Sequence, residues 1–131
     1  MPRVFVAFFL VAALGGLAGM IWGSVMGATH DHSLAPAHAH LNLVGWVTLA
    51  LMGGFYALNP RIAATKLAWA NFGLSAFGAA GMPFLLVSIL QGNAATVGPL
   101  MPIVEVPVIG GMLCFIASII RSARTRTAAA T

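Results

Sequence analysis

Four long apolar stretches alternate with three short polar ones. The apolar runs are Val4–Met26, His38–Leu58, Leu67–Leu90 and Pro99–Ile120, and the connectors read ATHDHSLAPA, NPRIAATK and QGNAATVG. Each run exceeds 20 residues. A bilayer-spanning helix needs roughly 20 apolar residues, whereas a buried strand takes about 4–8. The connectors carry the Pro, Gly, Asn and Ser that mark turns. The pattern predicts an all-α integral membrane four-helix bundle, a single domain over residues 1–131. A cleaved signal peptide is the other reading of the first run, but its 23 apolar residues exceed the roughly 7–15 of a signal core.

Composition agrees with the pattern. The chain is 60% hydrophobic and 6% charged, with mean hydropathy +0.99. Soluble domains carry about 25% charged residues. The sequence pI of 10.8 does not imply nucleic acid, because the six basic residues form no patch. Arg3 precedes the first run, Arg61 and Lys66 lie between the second and third, and Arg121, Arg124 and Arg126 follow the fourth. With four spans, all six fall on one side of the bilayer. The positive-inside rule then predicts a bacterial inner (cell) membrane protein with both termini cytoplasmic and the His30–His40 segment outside. The single cysteine, Cys114, excludes an intrachain disulfide.

Small residues suggest helix contacts. Gly15, Gly19, Gly23 and Gly27 recur every four residues, a stripe that lets a second helix approach, within the chain or from another subunit. Gly73, Gly78 and Gly81 line the third run with Ser75, and Pro83 predicts a kink. Pro102 and Pro107 bracket Glu105 in the fourth, where helical hydrogen bonds are expected to be lost.

All four histidines, His30, His32, His38 and His40, fall within eleven residues, with Asp31 among them. Neutral imidazole ligates zinc, copper and iron, although an outer loop also tolerates polar residues without function. If His38 and His40 are both helical, they lie about 200° apart at 3.6 residues per turn. They would then serve different centres. An extended His-Ala-His could instead supply one site. Asn42 follows His38 by one turn, and Gly45 and Trp46 fit a close approach beside an interfacial anchor.

The stretch HDHSLAPAHAH resembles the haem–copper oxidase superfamily, subunit one. There a His-Asp pair precedes, by six residues, a His-x-His at the start of a membrane helix. The resemblance implies that His38 and His40 ligate haem irons from opposite helix faces, high-spin and low-spin, and that His30 and Asp31 belong to an outer metal site. The departures are large. That subunit has about twelve helices in three pseudo-symmetric arcs, and its copper centre needs three more histidines, whereas no histidine follows His40 here. One chain therefore cannot build an oxygen-reducing haem–copper centre, which argues against an enzyme. A homotrimer of four-helix chains would resemble the twelve-helix scaffold by analogy of fold.

Glu105 is the only carboxylate inside a run. It is expected about 9 Å from the outer end, with His38 or His40 as its partner. It could ligate a metal or orient an imidazole, or be a protonated acid bonded to proline-freed backbone. Met26 and Met101 are soft donors near the same side, more often packing than ligands. Tyr56 has no visible role. Three functions follow. The first is a haem- or metal-binding membrane protein using His38 and His40. The second is a haem-free copper or zinc site using His30, Asp31, His38, His40 and Glu105. The third is a non-catalytic assembly subunit. The lipid bilayer and further copies of the chain are the expected partners.

Overall fold

The structure, a computed structural model, describes residues 3–128, with side chains described through Thr125. Four helices are long and apolar enough to cross a membrane. We label them α1 (Val4–Thr29), α2 (Ala35–Leu58), α3 (Lys66–Ser88) and α4 (Pro102–Ala128). They run up and down, so the bundle has a histidine end and an arginine end. Arg3, Arg61, Lys66, Arg121 and Arg124 all belong to the latter; the Arg126 side chain lies outside the described residues.

Helix ends follow local chemistry. α1 stops at His30, which takes a left-handed φ of 56°, a conformation usually left to glycine. Thr65 caps α3 by accepting from the Ala68 N–H. The stretch after α3 reverses at Gly92, φ 99°, then winds through short turns at Ala94–Val97 and Gly98–Leu100. Pro102 is the first residue of α4, where a missing N–H costs nothing. It therefore starts the helix instead of interrupting it, and only Pro107 lies inside. α3 runs on through Pro83. That proline deprives the Ala79 carbonyl of its helical donor, and the freed oxygen faces Gly45 of α2.

The middle of α2 is unusual. Ala35–His40 and Leu49–Leu58 are α-helical, but Leu41–Thr48 between them is π-helical. The Thr48 hydroxyl donates to the Leu43 carbonyl five residues back, at 2.7 Å. Such wider turns are rare and concentrate at functional sites.

The two ends pack differently. The large buried side chains sit towards the arginine end, where Phe8 stacks on Tyr56 at 5.5 Å and meets Phe72 edge-on at 5.2 Å. A buried polar chain threads this core. Asn71 Nδ2 donates to Tyr56 Oη (3.0 Å), Tyr56 Oη lies 3.0 Å from Ser118 Oγ, and Ser75 Oγ donates to Asn71 Oδ1 (3.0 Å). Nearby, Ser122 Oγ donates to Asn59 Oδ1 at 2.7 Å. Hydrogen bonds of this kind tie membrane helices together where apolar packing alone does not discriminate them from lipid.

Towards the histidine end, glycines set the contacts. A Cβ on Gly15 would stand 2.8 Å from the Gly45 carbonyl oxygen, one on Gly16 3.0 Å from the Trp46 ring, and one on Gly23 3.1 Å from His38 Cε1; one on Gly19 would strike the Asn42 amide. The stripe is thus an intrachain seat for α2, except at Gly27, which faces open space. Gly78 and Gly81 do the same for α4, meeting Val104 and Val108.

Candidate functional site

α2 begins at Ala35, with Pro36 in its first turn, so His38 and His40 both sit in helix and the extended His-Ala-His geometry does not occur. They leave opposite faces. His38 turns towards α1, where its ring lies edge-on to Trp22 at 5.9 Å and fills the space above Gly23. Asn42 Nδ2 donates to the His38 carbonyl at 3.0 Å and lies 3.2 Å from Nε2 of the same residue. His38 is half-buried, held by neighbours on both helices.

His40 turns away from α1 and is exposed. Its Nδ1 lies 2.8 Å from the Pro36 carbonyl oxygen. A carbonyl cannot donate, so Nδ1 carries the proton and donates. In the neutral ring, the lone pair is then on Nε2, and the side chain is exposed. A backbone carbonyl on one imidazole nitrogen is the usual way a protein fixes the tautomer of a metal-binding histidine.

His30 and Asp31 lie in the connector and are exposed. Asp31 is already engaged: its carboxylate accepts from the Ser33 backbone N–H at 2.9 Å. That bond, helped by the Ser33 hydroxyl, holds the carboxyl below the usual carboxylate range. Asp31 and Ser33 border a cavity of about 240 Å³ with Trp22, Val25, Met26 and Thr29. Met26 is buried and Met101 half-buried.

Glu105 lies in the first turn of α4, about 4.5 Å along the axis from Pro102, nearer the helix start than its expected depth. It is not enclosed by the four helices. Its side chain is exposed on the outside of the bundle. Among the described residues, no group of three or more His, Cys, Asp or Glu side chains comes together.

Beyond these residues, α1, α2 and α3 border a partly open apolar cleft of about 410 Å³, lined in part by Ala18, Trp22, Leu41, Ala80, Pro83 and Phe84. The polar chain through Tyr56 escaped the sequence reading. Its signal was present in the spacing of Asn71 with Ser75 and of Ser118 with Ser122, each pair one helical turn apart.

Comparison of the chain with known protein families, with curated proteins and with solved structures finds no match.

Proposed function

We propose that the chain is a membrane protein that binds haem, or a bare metal ion, through the histidines at the mouth of α2. The observation that carries this is the fixed ring of His40, with Nδ1–H on the Pro36 carbonyl and Nε2 left with its lone pair on an exposed side chain. Leu43 and Val47, exposed further along the same helix, supply nearby apolar surface of the kind a porphyrin requires. Haem bound there would supply an iron for electron transfer or ligand binding, and His40 would hold it.

His38, on the opposite face and engaged by Asn42 and Trp22, would serve a separate centre or support the helix. This two-sided arrangement is what the resemblance to haem–copper oxidase subunit one implies, and it supports that relationship as a proposal. On the same reading the chain assembles as a closed homo-oligomer, a trimer giving twelve helices, in a bacterial inner membrane with the histidine end outside. His30 and Asp31 would form an outer metal site only if the bond from Ser33 is given up or shared. A copper or zinc site at His40 is the haem-free form of the same proposal.

An optical spectrum with haem and metal analysis of the detergent-purified protein tests the reading. A Soret band lost in His40→Ala is the expected result. Full haem and metal content in the His38→Ala, His40→Ala double variant would leave the inert assembly subunit as the function.

A further inference from the structure

We propose that the site at His40 is completed between copies, with Glu105 of one protomer lying beside His40 of the next in a head-to-tail ring. This rests on the homo-oligomer reading above and adds to it the contacting faces and the second residue.

α3 serves as a ruler for height. Leu41 of α2 borders the apolar cleft with Ala80 and Pro83, and Gly81 packs against Val104 of α4. Leu41 and Val104 therefore flank the same turn of α3 from different helices. His40 precedes Leu41 by one residue and Glu105 follows Val104 by one. Since α2 and α4 run in the same direction, the two polar groups sit within about 3 Å of one level, two helical rises.

Within one chain they are kept apart. The histidine-end half of α2 packs on α1 and α3, and α4 packs chiefly on α3. Both side chains point outward, and Glu105 has no side-chain hydrogen bond or ion pair among the described residues. Arg121, sixteen residues along α4, lies about 24 Å away along the axis. With Arg121 at one hydrocarbon boundary, Glu105 still lies inside a core about 30 Å thick. A lone carboxylate facing lipid there is unfavourable, and such groups pair with one another or line the interior of an assembly.

Each group is also followed along its helix by an exposed apolar strip. Leu43 and Val47 follow His40, and Ile109 and Met112 follow Glu105, all exposed. Packing the first strip against the second in a neighbouring copy removes both polar groups from lipid at once. It sets a base against an acid at every interface. A heterologous contact of this kind closes into a ring when its rotation divides the circle. Direct packing leaves no room for a porphyrin on the same strip, so this inference takes the bare-metal form of the proposed function: in the assembled site the carboxylate ligates or charge-balances the metal ion that His40 holds.

Cysteine cross-linking tests the faces without replacing His40 or Glu105. In a Cys114→Ala background, Leu43→Cys with Ile109→Cys is oxidised in native membranes, and Val47→Cys with Leu113→Cys is a second pair one turn deeper. All four positions are exposed, so the fold is retained. The expected result is a ladder ending at a closed ring for a double variant, with no ladder for any single variant. An oligomer by native mass that neither pair cross-links overturns this inference and leaves the assembly standing. A monomer by native mass overturns both.

Discussion

The amide nitrogen of Asn42 lies 3.2 Å from Nε2 of His38, and these two side chains occupy the slot left by the bare backbones of Gly19 and Gly23 on α1. The small residues of one helix thus determine where an imidazole of the next can sit.

The glycines of α1 should not be equivalent. A methyl at Gly15 would meet the Gly45 carbonyl oxygen at 2.8 Å, a backbone atom that cannot swing aside, whereas one at Gly27 meets nothing within 4 Å. Gly15→Ala is expected to destabilise by about 1–3 kcal/mol, the usual range for overpacking. Gly27→Ala should be neutral or slightly stabilising, because alanine favours helix over glycine. Thermal unfolding in one detergent separates the two, and equal midpoints would contradict the packing described.

The two histidines should separate stability from binding. His40 is exposed and His38 half-buried against Trp22 and Asn42. His40→Ala is expected to change stability by no more than about 0.5 kcal/mol, as exposed substitutions do, while abolishing bound haem or metal. His38→Ala should cost about 1–3 kcal/mol in lost packing. Glu105→Gln should weaken binding roughly 10–100-fold if its carboxylate supports the ligand without being one. Haem content measured beside the unfolding midpoint of each variant checks all three.

Tyr56→Phe removes the acceptor for Asn71 and the partner of Ser118. A buried donor left unsatisfied costs about 1–3 kcal/mol, although bonds between membrane helices average nearer 0.6. A loss of about 1–2 kcal/mol is expected, with ligand content unchanged because the site lies at the other end. Asn71→Leu with Tyr56→Phe should recover part of the loss, which a double-mutant comparison reads directly.

The connector should respond to acid. The Asp31 carboxyl is held below its ordinary range by the Ser33 N–H and hydroxyl. Its folded pKa is therefore depressed relative to the unfolded chain. The contribution of the turn is present above the ordinary aspartate range and is lost as pH falls through the lower folded value. Exchange protection of the Ser33 amide should follow that course, and Asp31→Asn should flatten it.

The four helices long and apolar enough to span a membrane were legible because 20-residue apolar runs admit few other structures. The positions of turns were legible from the same polar breaks. Two features were not. Glu105 reads as a carboxylate about 9 Å from the outer end and beside a histidine when α4 is started at Pro99, but Pro102 begins the helix and the side chain faces outward. An apolar helix in a membrane carries no strong periodicity to tell its buried face from its lipid face, so the direction of Glu105 could not be inferred. The role of Tyr56 depends on Asn71 and Ser118, fifteen and sixty-two residues away, and pairing at that distance is set by packing. At the site itself, the opposed faces of His38 and His40 follow from helical spacing alone, whereas the fixed ring of His40 needed the position of the Pro36 carbonyl.

The π-helical stretch Leu41–Thr48 separates the histidine-bearing head of α2 from its aromatic foot. Because its turns take in more residues than α-helical ones, the number of residues in it sets the phase between the two. Removing one while the segment stays π-helical would rotate the head against the foot by the angle of one residue, somewhat less than the roughly 100° of an α-helical residue. His40 would then face another direction relative to Leu49 and Tyr56 of the foot, although no side chain of head or foot was changed. The length of this segment, as much as the identity of the ligands, is therefore a determinant of which surface the imidazole serves. An insertion or deletion here would redirect the site and unseat His38 and Asn42 from Gly23 and Gly19, while the aromatic foot kept its contacts.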